Sequence, residues 1–152
     1  MSHTTNPSAG ITPETQALIE SAIQASRTYS LTVSAPADGV LITGDGQASF
    51  LVPAHLNGLV LSSVKAVLST VSSSGAPTFQ VRRRRAGSDV DMLTTALSVD
   101  AGEYSSATAA TPAVIDTSND DVATGDLVIV DVDVAGTGAI GCHIECVFSE
   151  AA

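Results

Sequence analysis

Four consecutive arginines, Arg82, Arg83, Arg84 and Arg85, are four of the six basic residues in the chain, and from Ala86 to the end there are acids and no base. On a strand, successive arginines project to opposite faces, so at least two of them cannot enter an apolar core and must meet water or carboxylates. Three uses compete. The run is a solvated strand end, an ion-pair zone bidentate to Asp or Glu of a sister or host subunit, or a nucleic-acid contact. The last is the weakest, because a single run without interleaved aromatics on a chain of net charge -10 is a poor electrostatic footprint for a polyanion.

The acids offer two further chemistries. Asp120 with Asp121, Asp89 with Asp91, and Asp131 with Asp133 could supply oxygen ligands to calcium, but the spacing of a calcium-binding EF-hand loop is absent, so loop and solvent-face acids are the default. Val114-Ile115-Asp116-Thr117-Ser118 resembles the aspartic-protease pattern of two apolar residues before Asp-Thr-Ser, in which two chains each give one Asp and share a proton. The turn-rich continuation Asn119-Asp120-Asp121 argues against it. No serine lies in a nucleophile elbow and no phosphate-binding P-loop occurs. The three histidines, His3, His55 and His143, fall in an N-terminal arm, a turn and a strand. No catalytic residue, metal or cofactor is expected.

Cys142 and Cys146 sit in GCHIECVF, which reads as a strand. Four strand residues separate their Cα atoms by roughly 13 Å, beyond the limit of about 7 Å for a disulfide, and too far to share one zinc ion. Both read as buried thiols on one face, in a chain made in a reducing compartment.

These residues need a frame to position them. Residues 1–11 are rich in Ser, Thr, Asn, Gly and Ala and read as an extended arm. Thr12-Pro13-Glu14 is a helix start, with Thr as N-cap, Pro at the first helical position and Glu near the positive end of the dipole. Residues 13–27 then form an amphipathic helix whose narrow apolar stripe, Leu18 and Ala22 beside Ile19 and Ile23, suits the outside of a sheet or a neighbour better than a core.

From Tyr29 the period changes to two. Strands are expected near 29–34, 38–43, 48–52, 58–70, 77–85, 90–99, 103–106, 111–115, 126–134 and 139–148. Val128, Val130, Val132 and Val134 form the core face of one, while Leu127 and Ile129 on its other face are candidates to meet a partner. Ile140, Cys142, Ile144, Cys146 and Phe148 line one face of the last, and Ala135-Gly136-Thr137-Gly138 makes the hairpin between the two. Short strands without alternating helices indicate an all-β, antiparallel β-sandwich of jelly-roll-like type over residues 29–152, preceded by an arm and one short helix over residues 1–28.

Composition narrows the class. The chain of 152 residues is one domain's worth of polypeptide, and with no Trp, 2 Tyr and 3 Phe its core must be built from Val, Leu, Ile and Ala. Charged residues are 14%, with Ser and Thr in their place, which suits a protein packed against neighbours. An excess of 16 acids over 6 bases disfavours nucleic acid and anionic membranes. The opening MSHTTNPSAG has neither the basic nor the apolar region of a secretory signal, and no run approaches the ~18 apolar residues of a spanning helix.

One stretch carries a likeness. Gly44-Asp45-Gly46-Gln47-Ala48-Ser49-Phe50-Leu51-Val52-Pro53-Ala54-His55-Leu56-Asn57-Gly58, then Ser74-Gly75-Ala76-Pro77-Thr78-Phe79-Gln80-Val81, Asp91-Met92-Leu93, Val114 to Asp126 and Ile129 to Ala139 resemble a β-sandwich module of tailed-bacteriophage structural proteins, over roughly residues 38–148. The matching residues are turns and core strands, so the resemblance implies a fold and a virion context and leaves the role open. Arg82–Arg85 and the arm with its helix depart from the pattern and read as this chain's own attachment devices. Taken with the small size of the chain, its arm and its low surface charge, the virion context makes a capsid decoration (cement) protein on the outside of a phage head, made in the host cytoplasm, the leading expectation. It would bind the major capsid protein, as a homo-oligomer and by shell symmetry a trimer. Leu18, Ile19, Ile23, Arg82–Arg85, Leu127 and Ile129 would be its contact residues. The alternative is a tail-fibre or baseplate module that binds a receptor glycan through the acidic loop 116–126, against which the shortage of aromatics counts: only Tyr29, Tyr104, Phe50, Phe79 and Phe148 are available.

Overall fold

The computed structural model describes residues 10–25 and 27–152, the side chains of residues 23–25 excepted. Most of the expected arm, with His3, lies outside the described residues, as does the side chain of Ile23. The first element is α1 (Pro13–Ala25), started as its sequence dictates: Thr12 Oγ1 accepts the Thr15 N–H at 3.2 Å and the Thr12 carbonyl accepts the Gln16 N–H at 2.9 Å. Every described side chain of α1 is exposed, and Leu18 and Ile19 stand at 71% and 45%.

Ten strands follow: β1 (Thr28–Ser34), β2 (Gly44–Leu51), β3 (Val60–Thr70), β4 (Thr78–Arg85), β5 (Ser88–Asp91), β6 (Leu93–Thr95), β7 (Leu97–Ser98), β8 (Val114–Ile115), β9 (Leu127–Val134) and β10 (Ile140–Ser149). They make an all-β, antiparallel sandwich. One sheet has the order β1-β10-β3, and the other β2-β9-β4-β5 with β7 also on β4. β6 and β8 pair as a small separate ribbon.

Alternation builds the core between the two sheets. In β10, Cys142, Ile144, Cys146 and Phe148 are buried and the residues between them half-buried. Across the sandwich lie Phe79 and Val81 of β4 with Val128, Val130 and Val132 of β9, joined by Leu61, Ala66 and Leu68 of β3. Each fully buried Val, Leu, Ile or Phe contributes roughly 1.5–3 kcal/mol over its exposed state. The aromatic share is small but central: Phe50 and Phe148 meet edge-to-face with centroids 6.0 Å apart.

Four expectations change. Residues 38–43 make no strand: between Ala35, bonded to Cys142, and Val40, bridged to Ile140, residues 36–39 all face Gly141 alone, so the ladder loses register and only the Val40 bridge remains, with Gly39 and Leu41 bonded to Gly141 and Ala139. The strand expected at 90–99 is broken into β5, β6 and β7. Residues 103–106 give a single bridge from Ser105 to Val67 and a 3-10 turn over Ser106–Thr108, started by the Ser105 hydroxyl accepting the Ala107 N–H. Val134, placed on the core face by its period, is 45% exposed because β9 has run past the edge of the core there.

Candidate functional site

β4 is an interior strand with β9 on one side and β5 on the other, and this position decides what the four arginines do. Arg82 lies opposite Ile129 and Asp91, Arg83 opposite Val128 and Val90, Arg84 opposite Leu127 and Asp89, and Arg85 opposite Ser88. Alternation sends Arg82 and Arg84 to the outer face and Arg83 and Arg85 to the end of the inner one.

On the outer face, Arg82 grips Asp131 through two bonds, Nε to Oδ2 at 2.6 Å and Nη2 to Oδ1 at 3.2 Å, and also pairs with Asp89. Arg84 takes Asp89 in a bidentate fork, Nε to Oδ1 at 2.6 Å and Nη2 to Oδ2 at 2.8 Å. Asp131 in turn accepts the Gly46 N–H at 2.6 Å, so the network reaches across to β2. On the other side, Arg83 donates to the Asp121 carboxylate at 2.7 Å and to its backbone carbonyl. Arg85 forks onto Asp126, with Nε to Oδ1 at 3.0 Å and Nη2 to Oδ2 at 2.7 Å, and reaches Asp121 at 3.1 Å. Asp126 is held from behind by the Ala123 N–H at 2.8 Å. The buried Nε of Arg83 has no hydrogen-bond partner among the described residues.

The charges respond accordingly. The Arg84 fork holds the Asp89 carboxyl below its ordinary range. Burial pushes Asp121 and Asp126 upward, but hydrogen bonds from Arg83 and Arg85 to the first, and from Arg85 and the Ala123 N–H to the second, outweigh it and leave both lowered. Asp133 goes the other way: burial, then Asp131, Asp91 and Asp45, raise it.

Arg82–Arg85 are expected to pair with Asp or Glu of a sister or host subunit; the carboxylates they hold here come from the same chain. The expectation for Ile129 is corrected. At 3% exposed it is not available to a partner, because β9 is flanked on both sides, by Ser49 of β2 and Arg82 of β4, and the aliphatic stem of Arg82 lies alongside it. Leu127 is half-buried and sits in register with the exposed Leu51, a residue whose exposure its sequence context does not signal. Leu18 and Ile19 are exposed and do not lie on the chain's own sheets.

The remaining candidates serve the fold. Asp116 accepts the Ser118 N–H at 3.0 Å and the Asn119 side-chain amide at 2.8 Å; the Asn119 bond first and the Ser118 bond second lower its carboxyl, which suits a turn and not a proton-sharing acid. Burial pushes the Cys142 and Cys146 thiols up to about 12, so neither is a nucleophile or a ready ligand. His143 Nδ1 is 2.8 Å from Ser34 Oγ, and His55 meets Tyr29 edge-on at 4.9 Å. Among the described residues no three acids, histidines or cysteines are grouped to hold a metal ion. An open surface hollow of about 400 Å³ is lined by Ser62, Thr117, Asp120 and Glu150 among others.

No protein-family model, curated protein or solved structure matches the chain.

Proposed function

We propose that the chain is a structural virion protein, a capsid decoration protein that binds the outer surface of a tailed-phage head and ties neighbouring major capsid subunits together. The observation that carries the reading is α1. A helix of 13 residues is marginal by itself in water, yet its apolar Leu18 and Ile19 touch no core of their own chain. An element of this kind finds its packing on another molecule. The sandwich supports the same reading, since its arginines are matched internally by Asp89, Asp121, Asp126 and Asp131. That leaves a stiff body with an external handle. The likeness of residues 38–148 to phage virion modules supplies the context.

The energetics are those of mass action. A protein that binds only the assembled shell stabilises it by RT ln(1 + [L]/Kd) at each site. Co-sedimentation of the chain with phage heads stripped of accessory proteins, followed by a heat-release assay for packaged DNA, tests the reading. Stoichiometric binding that raises the release temperature is expected. Failure to bind heads, with adsorption to host-surface glycans instead, would replace it with the tail-fibre reading.

A further inference from the structure

We propose that the free edge of β1 is a self-association surface, on which β1 of a second copy pairs antiparallel about a two-fold axis at Leu31 to join two three-stranded sheets into one of six strands. The inference starts from a comparison of the sandwich's edges. The β3 edge is bonded over: the Leu68 N–H donates to the Tyr104 carbonyl, the Ala66 N–H to Ser106 Oγ and the Leu61 N–H to the Asp120 carbonyl. β2 has an irregular register between Gly44 and Ala48 and carries Asp45 there, both of which discourage strand addition. β5 is 4 residues long with two aspartates. β1 has none of these protections. It is 7 residues of regular register, TYSLTVS, with no charge and no proline, and among the described residues its only strand partner is β10.

The pairing pattern says which groups wait at that edge. Ala35 donates its N–H to the Cys142 carbonyl, in the same register as Val33 with Ile144 and Leu31 with Cys146. In an antiparallel ladder hydrogen-bonded pairs alternate, so Tyr29, Leu31 and Val33 turn their backbone groups to β10 and Thr28, Ser30, Thr32 and Ser34 turn theirs outward. A two-fold at Leu31 sets Ser30 opposite Thr32 and Thr28 opposite Ser34 of the second copy, and every outward N–H then meets an outward carbonyl. Between these pairs Tyr29 faces Val33 and Leu31 faces its own mate.

The side chains fit as well as the backbone. Tyr29, Leu31 and Val33 are half-buried against the core from one side, and an added strand covers the other. Val40, 56% exposed, extends the same edge through its bridge to Ile140. The second copy is the occupant because β1 is complementary to itself and brings no charge to face its own image on a chain of net charge -10. The pairing leaves the two α1 helices at opposite ends, free for the contact proposed above. It is two-fold, unlike the three-fold expected from shell symmetry.

Sedimentation equilibrium and amide exchange on the full chain test this. The expected mass is twice 15.3 kDa, with Ser30 and Thr32 amides protected. Thr32→Pro removes an outward N–H and spares the β1–β10 ladder; it should weaken association at least tenfold and deprotect Ser30 while leaving the circular dichroism spectrum unchanged. Should Thr32→Pro fail to fold, Ser30→Lys with Thr32→Lys tests the same edge by charge. A monomeric wild type, a mass of three chains, or a dimer indifferent to the folded edge variant overturns the proposal.

Discussion

Arg82 Nε and Asp131 Oδ2 lie 2.6 Å apart on the outer face of the larger sheet, with the two side chains only 14% and 8% exposed. The pair links β4 to β9, and Asp131 also takes the Gly46 N–H of β2. Removing one partner strands the other charge where water reaches it poorly. Asp131→Ala should therefore cost about 2 kcal/mol in urea denaturation, while Asp91→Ala, also an acid facing Arg82 in register but without a bond to it, should cost far less.

Acid should loosen the sandwich through its lowered carboxyls. Asp89, Asp121 and Asp126 titrate below their unfolded values, so the stability they contribute is complete above about pH 4 and is lost as the pH falls through their folded values. Asp126→Asn should lower Tm at pH 7 and flatten the fall of Tm below pH 4. Asp133 has the opposite sign, since its raised carboxyl gives up stability as it ionises. Asp133→Asn should raise Tm at pH 7, and the gain should vanish in acid.

Exposure separates stability from attachment at α1. Leu18→Asp with Ile19→Asp removes apolar surface that the sandwich does not use, so Tm should move by no more than about 1–2 °C. Binding to stripped heads should be lost. Full retention of binding by this variant, or by a chain lacking residues 1–27, would remove the helix from the attachment mechanism.

The two thiols should report global unfolding. Cys142 and Cys146 are fully buried with thiols pushed up to about 12, so a disulfide reagent at pH 8 should label them only as fast as the sandwich opens. Denaturant should accelerate both together. Rapid labelling of either in the native protein would contradict the packing of β10.

What the chain announced and what it hid differ in range. β10 and α1 were legible because their signals are local: alternation from Cys142 to Phe148, and a Thr-Pro-Glu start. The burial of Ile129 was not, because period gives a strand its faces and not its neighbours, and which side chains stand beside Ile129 on that face, Arg82 among them, is set by the strand pairing. The same limit hid the partners of the arginines. Asp89 is five residues from Arg84 across a tight turn, but Asp121, Asp126 and Asp131 come from distant sequence. Residues 38–43 carry the apolar Val40, Leu41 and Ile42 of a strand, yet reach β10 out of register after Pro36 and keep only one bridge to it.

The arginine ladder also shapes how the molecule is felt from a distance. Because Arg82–Arg85 are matched by aspartates and Arg27 by Glu150, Lys65 is the one base without an ion pair among the described residues. The surrounding field is that of a polyanion whose cations are mostly matched by adjacent carboxylates. Copies crowded on one surface repel through water, and added salt shortens the reach of that repulsion to about 10 Å at 0.1 M. Dense packing of this protein should therefore tighten with ionic strength, the reverse of an assembly stitched together by salt bridges.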